Sequence, residues 1–311
     1  MQDPSPRQQA RKHGVFSLPF REYRMDDGSV TSGTLNKFDS VSPLHARSHR
    51  ARSTDKVNPA MQIGRGFHSL ALDGRRQFEE AFPIYEGGRR HGGAFTEFCA
   101  EHPTADRIDV LNPKTHETIE QMHESFLQHD HAVSLLSQCM PEATMFGTHE
   151  ETGLYLKGRP DGTNPTYLID LKTTAGDRFR PRDFRTTARV YGYDFQLAFY
   201  AMIARLLGFD IRGSYIVAVE RDFPFDVTVY TVSRAHLEAK INDVENALRG
   251  YAECMATGIW PGVGGDYELD LFPQEHLQTE KDRLLENQTE LSGGPLRDNP
   301  NEDNERATSE N

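Results

Sequence analysis

The sequence predicts an α/β (α+β) fold, a central mixed β-sheet flanked by helices. Two observations carry this prediction. Apolar residues recur at helical spacing as far as Gln138, after which the spacing shifts towards two. The strand-like stretches that follow are interrupted by one strongly apolar helix and closed by a long one. The resulting order, α-α-β-β-β-α-β-β-α, describes a sheet covered by helices.

Taken in order, residues 1–15 are poor in apolar side chains and read as a flexible N-terminal arm. "SGTLNKFDSVSPLHARSHR" (32–50) predicts a short helix with a Ser-Gly start and a Ser-Pro break. "PAMQIGRGFHSLALDG" (59–74) spaces Met61, Phe67, Leu70 and Ala71 for a helix that Gly74 would stop. "EEAFPIYEGGRRHGGAF" (79–95) is glycine-rich and basic and reads as a loop. One amphipathic helix is expected over 115–138, where Ile119, Met122, Phe126, Val133 and Leu136 share a side. "EATMFGTH" and "GLYLKGRP" read as strands around a Glu-Glu-Thr-Gly turn, with "GTNP" leading into a third strand, "TYLIDLKTT" (166–174). "DFQLAFYAMIARLLG" is an apolar helix closed by Gly208. "SYIVAVE" and "FDVTVYTV" are two more strands, and 233–258 is a long helix. The expected organisation is one domain over 16–272 followed by a polar, acidic, disordered tail over 273–311.

Composition narrows the function. Hydrophobic content of 36%, with 10% aromatic, is that of a globular chain. No run reaches the roughly 18 to 20 apolar residues that a membrane span needs, and "MQDPSPRQQARKHG" has no apolar stretch behind its charges to make a secretory signal. Cys99, Cys139 and Cys254 offer neither an even disulfide framework nor paired metal-ligand spacing. A soluble, cytoplasmic protein is expected, with no membrane partner. The net charge of −12 argues against loose electrostatic binding of nucleic acid over the whole surface. It does not exclude a local basic groove. Between Lys157 and Arg189, eight basic residues face four acidic ones, whereas Glu275–Asn311 holds ten acidic and four basic.

That basic stretch surrounds the candidate chemistry. Asp170 and Lys172 alternate with Leu171 in an otherwise apolar strand, so the two charges share a face. Burying them costs several kcal/mol unless they pair or bind an ion. The short "GTNP" connection would bring Asp161 beside Asp170. Two carboxylates with a lysine suit a hard divalent cation such as Mg²⁺. The lysine could orient or deprotonate a water, or neutralise charge developing on a phosphate. Gln196 and Tyr200 lie at i and i+4 on the apolar helix and could reach the same place. Plainer readings exist for each. Asp170 with Lys172 can be an edge-strand ion pair, Asp161 a turn residue, Tyr200 core, Gln196 surface, and His68 and Glu142 ordinary structural groups.

"IGRGFHSLALDGRRQFEEAF", "PEATMFGTHEETGLYLKGRPDG", "YLIDLKTTA" and "VYGYDFQLAFYAMIARLLG" together resemble the exodeoxyribonuclease VIII (RecE-type) family of the PD-(D/E)xK nuclease superfamily. The likeness runs from "SGTLNKFDSVSP" to "GIWPG", and it implies a restriction-endonuclease-like core. By this resemblance Asp161 is the first metal-binding aspartate, Asp170 the acidic residue of the D/E-x-K element and Lys172 its lysine. His68 and Glu142 match further active-site positions that could bind metal, and Gln196 and Tyr200 match the Q-x-x-x-Y element. Thr173 and Thr174 match the residues after the lysine, with no chemistry assigned. The family degrades one strand of linear double-stranded DNA from its 5′ end with Mg²⁺, for which Mn²⁺ can substitute, in phage-type recombination or repair. Its members often form ring-shaped homo-oligomers, here expected as a trimer or tetramer, and act alongside a single-strand annealing protein. The acidic tail has no counterpart in that pattern, and three cysteines cannot supply the four that iron–sulfur relatives use.

Arg159, Arg178, Arg180, Arg182, Arg185 and Arg189 are expected to follow the DNA backbone, the competing reading for the 178–189 segment being a solvated surface loop. Two other functions stay open on sequence: another nuclease on the same scaffold (an endonuclease or a single-strand-specific enzyme), and a catalytically silent DNA-end binding module. Intact Asp161, Asp170 and Lys172 count against the second.

Overall fold

The structure, a computed structural model, describes residues 12–25, 28–51 and 58–265. The predicted tail (273–311) and most of the predicted arm therefore lie outside the described residues. In chain order the elements are β1 (Gly14–Phe16), α1 (Phe20–Tyr23), α2 (Ser32–Ser40), α3 (Pro43–Ala51), α4 (Pro59–His68), α5 (Arg75–Ala81), α6 (Gly93–Glu101), α7 (Pro113–Leu127), α8 (Asp130–Ser137), β2 (Met140–Pro141), β3 (Thr144–Thr148), β4 (Tyr155–Gly158), β5 (Gly162–Thr163), β6 (Tyr167–Thr174), α9 (Pro181–Tyr191), α10 (Tyr193–Leu206), β7 (Gly213–Glu220), β8 (Val227–Val232) and α11 (Arg234–Thr257). Among the described residues, no helix is long and apolar enough to cross a membrane.

The strands form a five-stranded mixed sheet in the order β2-β5-β6-β7-β8 and a separate three-stranded sheet, β1-β3-β4. Only β6 and β7 run parallel, joined by a crossover through α9 and α10; the other pairs are antiparallel. The sequence reading placed "GLYLKGRP" and "TYLIDLKTT" in one sheet. Instead β4 leaves for the small sheet and the two-residue β5 takes the place beside β6. Pro160 stands between them, and with no N–H it cannot continue a ladder.

The five-stranded sheet is buried on both faces. Leu168, Ile216 and Ala218 face the core formed with α10 and α11, and Ile169, Leu171, Val217 and Val219 face the one formed with α4, α7 and α8. Alternation along β6 therefore sorts its residues, putting Leu168 and Asp170 towards α10.

Several local predictions need correction. The loop expected at 79–95 holds the end of α5 and the start of α6. The single helix expected at 115–138 breaks at His129, whose backbone leaves helical geometry while its Nδ1 caps the Ala132 N–H at 3.2 Å. Met61, expected on a buried face, is 50% exposed, while Phe67 is buried. The Ser-Pro break after α2 also starts α3, because proline at the first helical position loses no hydrogen bond. The segment 181–191 forms the helix α9, so the competing reading of 178–189 as a surface loop does not hold over those residues.

Candidate active site

The site forms where β5 stops. Its two residues pair with Ile169 and Leu168, so β6 beyond Ile169 lacks a neighbour from β5. Asp161, immediately before β5, fills that vacancy with its side chain: Oδ2 accepts the Leu171 N–H at 2.6 Å. A carboxylate thus replaces a strand carbonyl, which fixes Asp161 beside Asp170 and satisfies a backbone donor that would otherwise be orphaned. Helices from both sheet faces close on this edge.

From one side comes His68, the last residue of α4. The helix passes there into one turn of π-helix, Ser69–Asp73, a widening frequent at functional sites, and Gly74 ends it at φ 89°. His68 Nδ1 lies 3.4 Å from Asp161 Oδ1. From the other side comes α10, presenting Gln196 and Tyr200 one turn apart. Lys172 Nζ donates to Gln196 Oε1 at 3.2 Å, and Gln196 Nε2 donates to the Tyr200 hydroxyl at 2.9 Å. Gly158 permits this: a Cβ on it would stand 2.8 Å from the Tyr200 ring.

Asp170 and Lys172 meet directly, with Nζ 2.5 Å from Oδ2, yet that oxygen is buried without a hydrogen bond of good angle. The electrostatics follow from burial and crowding. Burial, and then Asp161, push the Asp170 carboxyl upward, against the pull of Lys172. Burial acts on Asp161 too, but His68, Lys172 and the Leu171 N–H outweigh it and hold its pKa below the usual value. Burial likewise disfavours the charged forms of His68 and Lys172. It is overcome at His68 chiefly by Asp161 and at Lys172 by both carboxylates, so both pKa values rise. A buried carboxylate with an unmatched oxygen beside a half-buried one makes a donor set that fits a hard divalent cation, which would relieve their mutual repulsion.

The remaining predicted residues fall in different places. Glu142, expected within a strand, sits between β2 and β3 at φ 46°, donating its N–H to the Asp161 carbonyl. Its carboxylate is ion-paired with Arg159, and burial raises its pKa against that pairing. Arg159 is turned inward. Besides Glu142 it donates to the Leu18 carbonyl at 2.7 Å and lies over the rings of Phe20 and Tyr23. Lys157 holds the same N-terminal segment through the carbonyls of Tyr23 and Met25. Arg178, Arg180, Arg182, Arg185 and Arg189 are all exposed, and Arg182, Arg185 and Arg189 recur at i, i+3 and i+7 on α9.

Sequence reasoning missed two features. Tyr193, three residues before Gln196 on α10, places its ring centroid 4.7 Å from Lys172 Nζ; starting the helix one residue earlier would have put it on the site face. The N-terminal segment around Phe20 also lines the cleft of about 1110 Å³ that holds Asp161, Lys172 and Tyr200. Only a long-range fold-back puts it there, and no local pattern signals that. Three other groups, His149, Glu151 and Glu245, could approach a common ion, but Arg249 already pairs with both glutamates.

A crystal structure described as "Putative exonuclease" from Eubacterium rectale is similar at 16% identity and a TM-score of 0.56, covering 82% of this chain and 95% of its own. A phage-related exonuclease from Haemophilus somnus 129PT matches at 14% identity and a TM-score of 0.32, covering 74% and 96%. No curated protein matches. The family profile for the PDDEXK-like domain of unknown function, DUF3799, matches residues 32–270, with the Asp161, Asp170 and Lys172 constellation inside it. The chain belongs to that PDDEXK-like family and has the fold of the PD-(D/E)xK nuclease superfamily.

Proposed function

We propose that this protein is a divalent-metal-dependent DNA exonuclease that degrades one strand of linear duplex DNA, 5′ to 3′, by phosphodiester hydrolysis. The observation that carries this reading is the open edge of β6. There Asp161 stands in for a missing strand, beside Asp170 and Lys172. Family membership and the exonuclease description of the Eubacterium rectale structure support it.

Asp161 and Asp170 are the residues that would hold the cation, with His68 adjoining Asp161. Bound Mg²⁺ would supply charge neutralisation at the phosphate and a water of lowered pKa. The chain's own groups do the rest. The Leu171 N–H and His68 keep the Asp161 carboxylate ionised and oriented. Lys172, held by Asp170 and Gln196, presents an ammonium to charge developing on the phosphate. The exposed arginines of α9 give a phosphate-binding face that positions DNA without reading bases.

The test is digestion of 5′-labelled and 3′-labelled linear duplex beside a closed circle, with Mg²⁺. Early release of the 5′ label with an intact circle is expected. A cut circle would make the enzyme an endonuclease, and early release of the 3′ label would reverse the polarity.

A further inference from the structure

We propose that Tyr193 is a positioning residue that holds the Lys172 ammonium in place through the face of its ring. The proposal rests on Lys172 belonging to the active site. Three kinds of contact converge on Nζ: Asp170 Oδ2 at 2.5 Å, Gln196 Oε1 at 3.2 Å and the Tyr193 ring centroid at 4.7 Å. An ammonium carries three N–H donors. The amide oxygen accepts one of them, and the Asp170 carboxylate holds the ammonium by its charge, without a well-angled hydrogen bond. A ring face attracts the cation through its quadrupole but offers no lone pair. It can therefore hold the ammonium without occupying a donor, and leave an N–H free to turn to a phosphate oxygen. A second carboxylate in its place would take an N–H donor and oppose the incoming phosphate.

The backbone is arranged to place this ring. Gly192 caps α9 and begins α10 in the left-handed conformation, φ 68° and ψ 40°. A Cβ on Gly192 would lie 2.6 Å from Asn36 Oδ1, so conformation and space both favour glycine there. The turn puts Tyr193, Gln196 and Tyr200 at i, i+3 and i+7, one face of α10. Tyr191 stacks beside the Tyr193 ring, centroids 5.9 Å apart at 16°, and Phe184 packs at 6.3 Å. The ring is thus braced by its aromatic neighbours.

The test compares Tyr193→Leu with Tyr193→Phe in the full chain. Leucine removes the ring face and should lower kcat on linear duplex roughly tenfold or more with little change in KM, because the contact acts through Lys172 rather than on DNA binding. Phenylalanine keeps the face and should recover most of that loss. A second readout needs no activity: urea unfolding of the metal-free protein in a double-mutant cycle of Tyr193→Leu with Lys172→Met. Coupled residues should deviate from additivity by roughly threefold or more in the unfolding equilibrium constant. If phenylalanine and leucine behave alike, or the cycle is additive, the proposal is wrong. If the protein cleaves no DNA but the cycle is non-additive, the contact stands and the nuclease reading fails.

Discussion

Asp161→Asn separates the observed role of this carboxylate, accepting the Leu171 N–H, from its proposed one, holding a cation. Asparagine keeps an oxygen for the Leu171 N–H, now held at 2.6 Å, but removes the negative charge. A hydrogen bond to a charged acceptor contributes about 1.5–3 kcal/mol and a neutral one about 1. The substitution therefore forfeits about 1 kcal/mol at this bond together with the attraction of His68 and Lys172, and the relief of burial and of repulsion with Asp170 offsets part of it. For a domain of this size the melting temperature should move by only about 2–4 °C. Asp161→Ala leaves the Leu171 N–H without its acceptor, at about 1–3 kcal/mol more. Activity should respond in the opposite order of subtlety. If Asp161 and Asp170 hold the cation as proposed, losing one of them removes several kcal/mol of charge stabilisation, about 100-fold or more in turnover. Thermal melts of the two variants, with nucleotide release from linear duplex in Mg²⁺, measure both effects. An asparagine variant that turns over like wild type, or one that cannot fold, would refute the division of roles.

Replacing Arg182, Arg185 and Arg189 together with alanine should weaken binding to all duplexes alike and lower the slope of log K against log salt by about 3, near 0.9 per phosphate contact. An unchanged slope in a salt titration would return α9 to an ordinary solvated face. Asp109, buried against Arg65 at 2.5 Å, has its pKa pushed up by burial to about 6. A carboxyl raised on folding binds its proton more tightly in the native state. Its stabilisation is fully present below about pH 4 and is lost as pH rises through about 6. Asp109→Asn should flatten the stability profile over that window, by no more than about 3 kcal/mol, in denaturant melts across pH. An equally steep profile would place the titration elsewhere.

Much of this architecture could be read from the chain because it rests on periodicity. The apolar helix around Gln196 and the strand carrying Asp170 and Lys172 announce themselves through burial patterns that local sequence encodes. The partnership of Asp161 with that strand was readable for the same reason, since the connection is too short to take it far. Other features depend on distance or on single atoms. His129 ends one helix and caps the next with its own ring, which apolar spacing cannot register. Arg159 belongs to a basic run in sequence but is turned inward by Glu142 and Leu18, contacts 17 and 141 residues away. The small sheet is invisible for a similar reason, because β1 pairs with β3 across more than a hundred residues.

Asp170→Asn tests whether the edge of β6 is a metal-dependent phosphodiesterase site. Its buried Oδ2 is the oxygen left without a well-angled hydrogen bond. Wild type and variant, matched by thermal melt, are incubated with linear duplex in Mg²⁺, in EDTA, and in EDTA followed by excess Mg²⁺. Wild type should release nucleotides, EDTA should abolish that release and Mg²⁺ restore it, and the folded variant should release none in any condition. Release that persists in EDTA, or undiminished release by a folded Asp170→Asn protein, would contradict it.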